Sequence, residues 1–155
     1  MREIRCRRCD ATLTQPLQES EVQSPAGGEP GEDLLTRGQW ARSDTPLQIF
    51  ASGNAYAQAA PSHYAPTISV CIADVLAGAQ TSQSESIPPR AISGCCGLDG
   101  LDGPNQACTA CGSLVGTLRS DCWCVHEMRY FDEQVTLASV VPPAGTAEGS
   151  GDDGG

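Results

Sequence analysis

The chain has 155 residues and a formal net charge of −10. That is length for one domain with at most a small satellite, and the sign opposes the basic surface that tracks phosphates in nucleic acids. With 11 Leu, 6 Ile, 8 Val and 2 Phe against 17 Gly and 11 Pro, a conventional apolar core is small, and small cores need a staple such as a disulfide or a metal.

No stretch approaches the ~18 apolar residues that read as a bilayer span, so no membrane role is expected. MREIRCRRCD at the start carries charge with no apolar run behind it, unlike a secretory signal. The expected location is the cytoplasm, where paired cysteines are more often metal ligands or redox groups than structural disulfides. All nine basic residues are arginine, and Arg2, Arg5, Arg7 and Arg8 surround the first cysteine pair. A small anion patch is one reading of that cluster, and a solvated edge beside a turn is the plainer one.

In chain order, residues 1–14 predict a strand, a Cys-x-x-Cys turn and a returning strand, with Ile4 and Leu13 apolar on either side. Residues 15–32, rich in Gln, Glu, Ser, Pro and Gly, predict a mobile loop. In 33–44, Leu34, Leu35 and Trp40 are expected to pack around a turn at Arg37-Gly38, and 51–66 to form a loop or insertion. Over 68–72, Ile68, Val70 and Ile72 alternate with Ser69 and Cys71, the pattern of a strand with one apolar face. Residues 73–79 predict a short helical turn or a strand exit, and 80–91, with its Pro-Pro pair, another loop. Within 92–131 the Asp-Gly pairs at 99–100 and 102–103 mark tight turns, and Leu114 to Leu118 predict a strand. A further strand is expected from Cys122, with Cys122, Cys124 and His126 on one face, and Trp123 and Val125 packed on the other. The acidic, Gly-rich residues 142–155 predict a disordered tail.

Eight of the nine cysteines fall in four tight pairs: Cys6 with Cys9, Cys95 with Cys96, Cys108 with Cys111, and Cys122 with Cys124. A Cys-x-x-Cys turn curls the backbone so that both thiolates reach one tetrahedral ion at ~2.3 Å. The residue after the second cysteine often takes a positive φ, which suits Gly112, and Asp10 is a residue type that tolerates it. One or two Zn2+ ions are therefore expected. Three partitions stay open. A single site uses Cys6, Cys9, Cys108 and Cys111. A two-site arrangement adds Cys95 or Cys96 with Cys122 and Cys124. A local arrangement joins Cys108, Cys111 and Cys122 with the vicinal pair. Neighbouring cysteines diverge on an extended backbone, so Cys95 and Cys96 share an ion only if Gly94 and Gly97 kink the chain.

Other candidates are weaker. Cys71 reads as a small buried hydrophobe and His126 as an ordinary surface histidine. Asp99 and Asp102 read as turn formers, since they do not fit a calcium-loop spacing. No nucleophile elbow or phosphate-cradling loop is present. The thiolate-rich donor supply favours closed structural sites over open catalytic ones, so no enzyme is expected.

At GCCGLDGLDGPN (94–105), CTACG (108–112) and SDCW (120–123) the chain resembles a group of small uncharacterised bacterial cysteine-rich proteins. Those share the N-terminal Cys-x-x-Cys, the Gly-Cys-Cys-Gly run, the Asp-Gly turn and an Asp-Cys-Trp near the end. The resemblance covers about residues 1–14 and 92–127 and implies a shared metal-stabilised domain. Cys124 lies outside the shared pattern. At fold level the two knuckles resemble zinc ribbons, whose members bind nucleic acid, bind proteins or brace larger folds.

The expected architecture is a small, mainly-β, zinc-ribbon-like, metal-stabilised domain with long irregular loops over residues 1–141. The leading functional expectation is a structural zinc protein acting as an interaction module, its loops and Trp40 offering a partner surface. The alternative is a thiol redox or metal-responsive protein using the paired cysteines. A nucleic-acid-binding ribbon ranks behind both because of the net acidity.

Overall fold

The computed structural model describes residues 1–21, 28–43, 66–101 and 104–141. Within them the protein is mainly β. Strand β1 (Arg2–Cys6) pairs antiparallel with β9 (Val135–Ser139), setting Ile4 opposite Leu137 and Cys6 opposite Val135. The other strands form one sheet. Its order is β2 (Gln18–Glu19), β3 (Gln39–Ser43), β4 (Thr67–Val70), β8 (Glu127–Phe131), β7 (Leu114–Arg119), β6 (Gln106–Cys108) and β5 (Gln80–Thr81). All its pairs are antiparallel except β2 with β3.

A tight turn, closed by Gln134 N–H donating to the Phe131 carbonyl at 2.9 Å, carries the chain from β8 in the sheet to β9 in the ribbon. The ribbon therefore closes over one face of the sheet. Ile4, Cys6 and Val135 from the ribbon join Trp40, Ile68, Val70, Cys108, Val115, Met128 and Tyr130 in one buried cluster. Period-2 alternation places Ile68 and Val70 of β4 beside Met128 and Tyr130 of β8 on this face. Tyr130 is buried with its hydroxyl donating to Gln80 Oε1 at 2.6 Å, which satisfies the one polar atom it carries inward. Two cysteines of the knuckles are thus part of the core itself.

The opposite face of the sheet is also buried, but it is polar. Glu127, 1 % exposed, takes a hydrogen bond from Ser69 Oγ at 3.0 Å, and its other carboxylate oxygen lies 3.0 Å from the Arg129 guanidinium and 3.6 Å from that of Arg119. Burying a charge is tolerable only with such pairing. Gly116 lets β7 and β8 meet: a Cβ there would run into the Arg129 carbonyl and come 2.8 Å from Met128 Cε.

Several sequence expectations meet the structure here. The strand expected over 68–72 is β4, but it stops at Val70. The Cys71 carbonyl accepts the Asp74 N–H at 3.0 Å and turns the chain into a 3-10 turn at Ile72–Asp74, so Cys71 and Ile72 leave the alternation. Residues 33–43 of the 33–44 piece run into β3, and their turn is held by buried Asp74, whose Oδ2 accepts the Gly38 N–H at 2.6 Å. Among the described residues of 15–32 and 80–91 there are only short elements, β2 and β5 with a 3-10 turn at Pro89–Ala91. Of the loop expected at 51–66, residues 51–65 lie outside the described residues, as does the tail at 142–155. No helix among the described residues is long and apolar enough to cross a membrane.

Candidate metal centre

The two Cys-x-x-Cys turns are built alike. In the first, Cys6 N–H donates to the Ala11 carbonyl at 2.9 Å, and Asp10 N–H returns to the Cys6 carbonyl at 2.8 Å. In the second, Cys108 N–H donates to the Ser113 carbonyl at 2.8 Å, and Gly112 N–H returns to the Cys108 carbonyl at 2.8 Å. The closing residue has positive φ in both, 62° at Asp10 and 75° at Gly112. Main-chain N–H groups also point at sulfur in the same pattern, from Arg8 and Cys9 to Cys6, and from Ala110 and Cys111 to Cys108.

The fold brings the two turns face to face. Cys6 Sγ lies 3.6 Å from Cys111 Sγ, and Cys9 Sγ lies 3.6 Å from Cys108 Sγ. All four sulfurs fall within 4.8 Å of one another. A tetrahedral ion with ~2.3 Å metal–sulfur bonds has sulfur–sulfur edges of about 3.8 Å. These separations fit that edge and are far beyond a ~2.0 Å disulfide bond. Cys6 and Cys108 are each 1 % exposed, while Cys111 is half-buried and Cys9 exposed.

Without a cation the buried members resist ionisation. Burial pushes the Cys6 thiol up to about 12 and raises Cys108, in both cases against the N–H groups aimed at them. Cys9 is shifted down, chiefly by the Ala11 N–H. Soft, tightly grouped thiolate donors of this kind suit Zn2+ or another thiophilic ion.

A second group forms at the far end of β7. The sulfurs of Cys95, Cys96 and Cys122 lie within 4.8 Å of one another, on exposed residues. Those of Cys96 and Cys122 stand at bonding distance, with Cα atoms 6.2 Å apart. The kink at the flanking glycines is present. A side chain at Gly94 would strike the Gly97 carbonyl, and one at Gly97 would come 2.6 Å from the Ser120 carbonyl oxygen.

The strand expected from Cys122 begins only at Glu127. The Asp121 carboxylate explains the difference. It accepts main-chain N–H groups of Cys96 at 3.0 Å, Cys122 at 2.9 Å and Cys95 at 3.3 Å, which winds 121–124 into a turn. Those bonds, with the Cys96 N–H foremost, also hold Asp121 below the usual carboxylate range. Asp121 is the residue the sequence reading missed; its only signal was its place before Cys122 in SDCW.

Cys124 is set apart from the other seven cysteines of the expected ligand set. Its sulfur stands outside both groups and donates to the Asp121 carbonyl at 3.4 Å. Cys122 and Cys124 therefore do not share a strand face, and Cys108 and Cys111 group with the N-terminal pair rather than with Cys122. His126 also turns to the Asp121 carbonyl, Nε2 at 3.1 Å. Cys71 is buried, as a small apolar residue would be.

Of the two tryptophans, Trp40 packs inward as expected of the 33–44 piece, which takes it out of the partner surface also expected of it, and Trp123 does not. Trp40 is buried in the core cluster, whereas Trp123, expected to pack inward, is 68 % exposed. The N-terminal arginines are mostly engaged within the fold. Arg5 pairs with Glu3 and Asp10, Arg7 donates to the Asp132 and Val135 carbonyls, and Arg2 bonds Ser139. Asp99 is a turn former, its Oδ1 accepting the Leu101 N–H at 3.0 Å, and Asp102 lies outside the described residues.

Compared with protein-family models, curated proteins and solved structures, the chain finds no match in any of the three, so its function is read from the chemistry of these two cysteine groups.

Proposed function

We propose that this chain is a zinc-binding protein whose closed site, made by Cys6, Cys9, Cys108 and Cys111, braces a small zinc-ribbon-like domain that serves as a protein-interaction module. One observation carries the reading: four thiols contributed from positions about a hundred residues apart converge with tetrahedral spacing. Four thiolates complete a tetrahedral shell and leave no open position for substrate, which is the arrangement of a structural rather than a catalytic zinc.

The placement of the site supports a bracing role. It ties β1, near the start of the chain, to the β6–β7 turn at the edge of the large sheet. Both buried ligands belong to the core cluster, so losing the ion would disturb packing as well as the knuckles. The interaction role rests on exposed Trp123, a large apolar side chain held on a pinned turn.

The test is metal content and chelation of the purified full chain. The expected result is a tightly held zinc that survives gel filtration, with loss of β structure when a strong chelator removes it. A metal-free chain that stays folded would overturn the reading.

A further inference from the structure

We propose that Cys95, Cys96 and Cys122 form a second, exchangeable site for a thiophilic cation, which is emptied when Cys96 and Cys122 join as a disulfide. This site is separate from the closed centre and does not depend on it.

The first ground is how these cysteines are held. Asp121, 4 % exposed, gathers the N–H groups of Cys95, Cys96 and Cys122 on one carboxylate. The loop is pinned again by Leu98 N–H to Ser120 Oγ at 3.1 Å, and by the N–H groups of Ser120 and Asp121 to the Leu98 carbonyl at 2.8 and 3.1 Å. None of these bonds involves sulfur-sulfur contact. Reduction of the disulfide therefore leaves three thiols gathered rather than releasing a floppy loop.

The second ground is the contrast with the closed centre. There, two of four sulfurs are buried and the shell is complete. Here all three cysteines are exposed and the shell has only three sulfurs. Soft thiolates select Zn2+ or Cu+. With a fourth position open to water or an exogenous ligand, the ion can leave.

The third ground is that the same sulfurs can pair. The Cα separation of 6.2 Å between Cys96 and Cys122 lies in the range a disulfide spans. With a small-molecule disulfide as oxidant, one thiolate of the pair attacks it, forms a mixed disulfide and expels a thiolate. The second thiolate then displaces the other half. The two cysteine sulfurs lose two electrons, the oxidant's sulfur–sulfur bond gains them, and the two expelled thiolates take protons from water. The cation loses two of its three ligands, and Cys95 remains as a single thiol. Asp121 acts as a positioning residue throughout.

The experiment titrates the reduced full chain with Zn2+ against a chromophoric chelator, then adds oxidised glutathione. Two ions are expected. The weaker one is released together with the loss of two thiols, and peptide mass mapping finds Cys96 joined to Cys122. Reduction restores both. Cys96→Ser and Cys122→Ser each abolish the weaker ion and the oxidisable pair while keeping the tighter ion. Cys95→Ser keeps the disulfide but weakens the second ion at least tenfold. It guards against a serine at 96 or 122 disturbing the fold. Asp121→Asn shifts the glutathione ratio at which the disulfide closes by threefold or more, with the tighter ion retained. A reduced wild type with no ion that depends on Cys96 and Cys122, an ion there that survives closure, or oxidation falling on Cys6, Cys9, Cys108 or Cys111 would overturn the proposal. Loss of the tighter ion alone would instead overturn the closed-centre reading and leave this one standing.

Discussion

Cys9 Sγ stands 3.6 Å from Cys108 Sγ across 99 residues of sequence. Nothing in the backbone ladders forces that meeting, because β1 belongs to the ribbon and β6 to the large sheet. On the proposed reading, a cation shared by their thiolates supplies the attraction. Structural zinc contributes on the order of 10 kcal/mol in small domains, comparable to a whole domain's net stability of about 5–15 kcal/mol. Cys108→Ser is expected to lose the tight zinc and to melt near or below room temperature, measured by circular dichroism alongside metal content. A variant that keeps both its zinc and its melting temperature would remove Cys108 from the ligand set.

The pH response should change sign with metal. In the metal-free chain the Cys6 thiol is held up to about 12 and Cys108 is also raised, both by burial. The unfolded state then loses these protons first, at a cysteine pKa of ~8.5. Whatever folded structure the metal-free chain retains is expected to be favoured below about pH 8.5 and to be lost as pH climbs toward 12. The loaded chain holds thiolates and should instead release zinc as pH falls, because protons compete for sulfur. Circular dichroism across pH on the chelated chain, and zinc release across pH from the loaded chain, read the two slopes; parallel slopes would contradict the assignment.

Asp10 is the one non-glycine with positive φ among the described residues, at 62°. A Cβ-bearing residue without Asp's local hydrogen bonding costs roughly 1–2 kcal/mol there. Asp10→Val should destabilise by about that amount. Asp10→Gly should be neutral or slightly stabilising, since the exposed pair with Arg5 that it removes is worth at most ~1 kcal/mol. Urea midpoints of the two loaded variants check the order.

Glu127 sets one buried carboxylate against the buried Arg129 at 3.0 Å and the half-buried Arg119 at 3.6 Å. Removing one partner of a buried ion pair costs about 3–5 kcal/mol, because the remaining charge is left without compensation. Glu127→Ala is expected to lose that much stability in thermal or urea unfolding, with the zinc content of the folded fraction unchanged. A loss under 1 kcal/mol would mean water reaches Arg119 and Arg129.

What was legible in the sequence was local. The Cys-x-x-Cys spacing, with Asp10 and Gly112 after it, encodes the knuckle turn within six residues, and the structure places both as expected. The alternation at Ile68 and Val70 likewise gave β4. The misses involve partners distant in sequence. Cys122 and Cys124 alternate as strand residues should, yet Asp121 captures amides from 95 and 96 and bends that stretch into a turn. Ser69 was read only as lying on the strand face opposite Ile68 and Val70, with nothing local to say what covers that face. It is buried against Glu127, 58 residues away, whose carboxylate accepts its hydroxyl hydrogen bond. Trp40 and Trp123 could not be sorted by composition, since Trp40 lands on the sheet face the ribbon covers and Trp123 on the turn that Asp121 winds.

The central claim is a four-sulfur ion at the junction of the two knuckles. Zinc K-edge X-ray absorption on the full chain carrying Cys96→Ser, which removes the competing group, tests it most directly. The expected spectrum fits four sulfur ligands at ~2.3 Å. A shell containing nitrogen or oxygen, or a protein that folds without zinc, would contradict it.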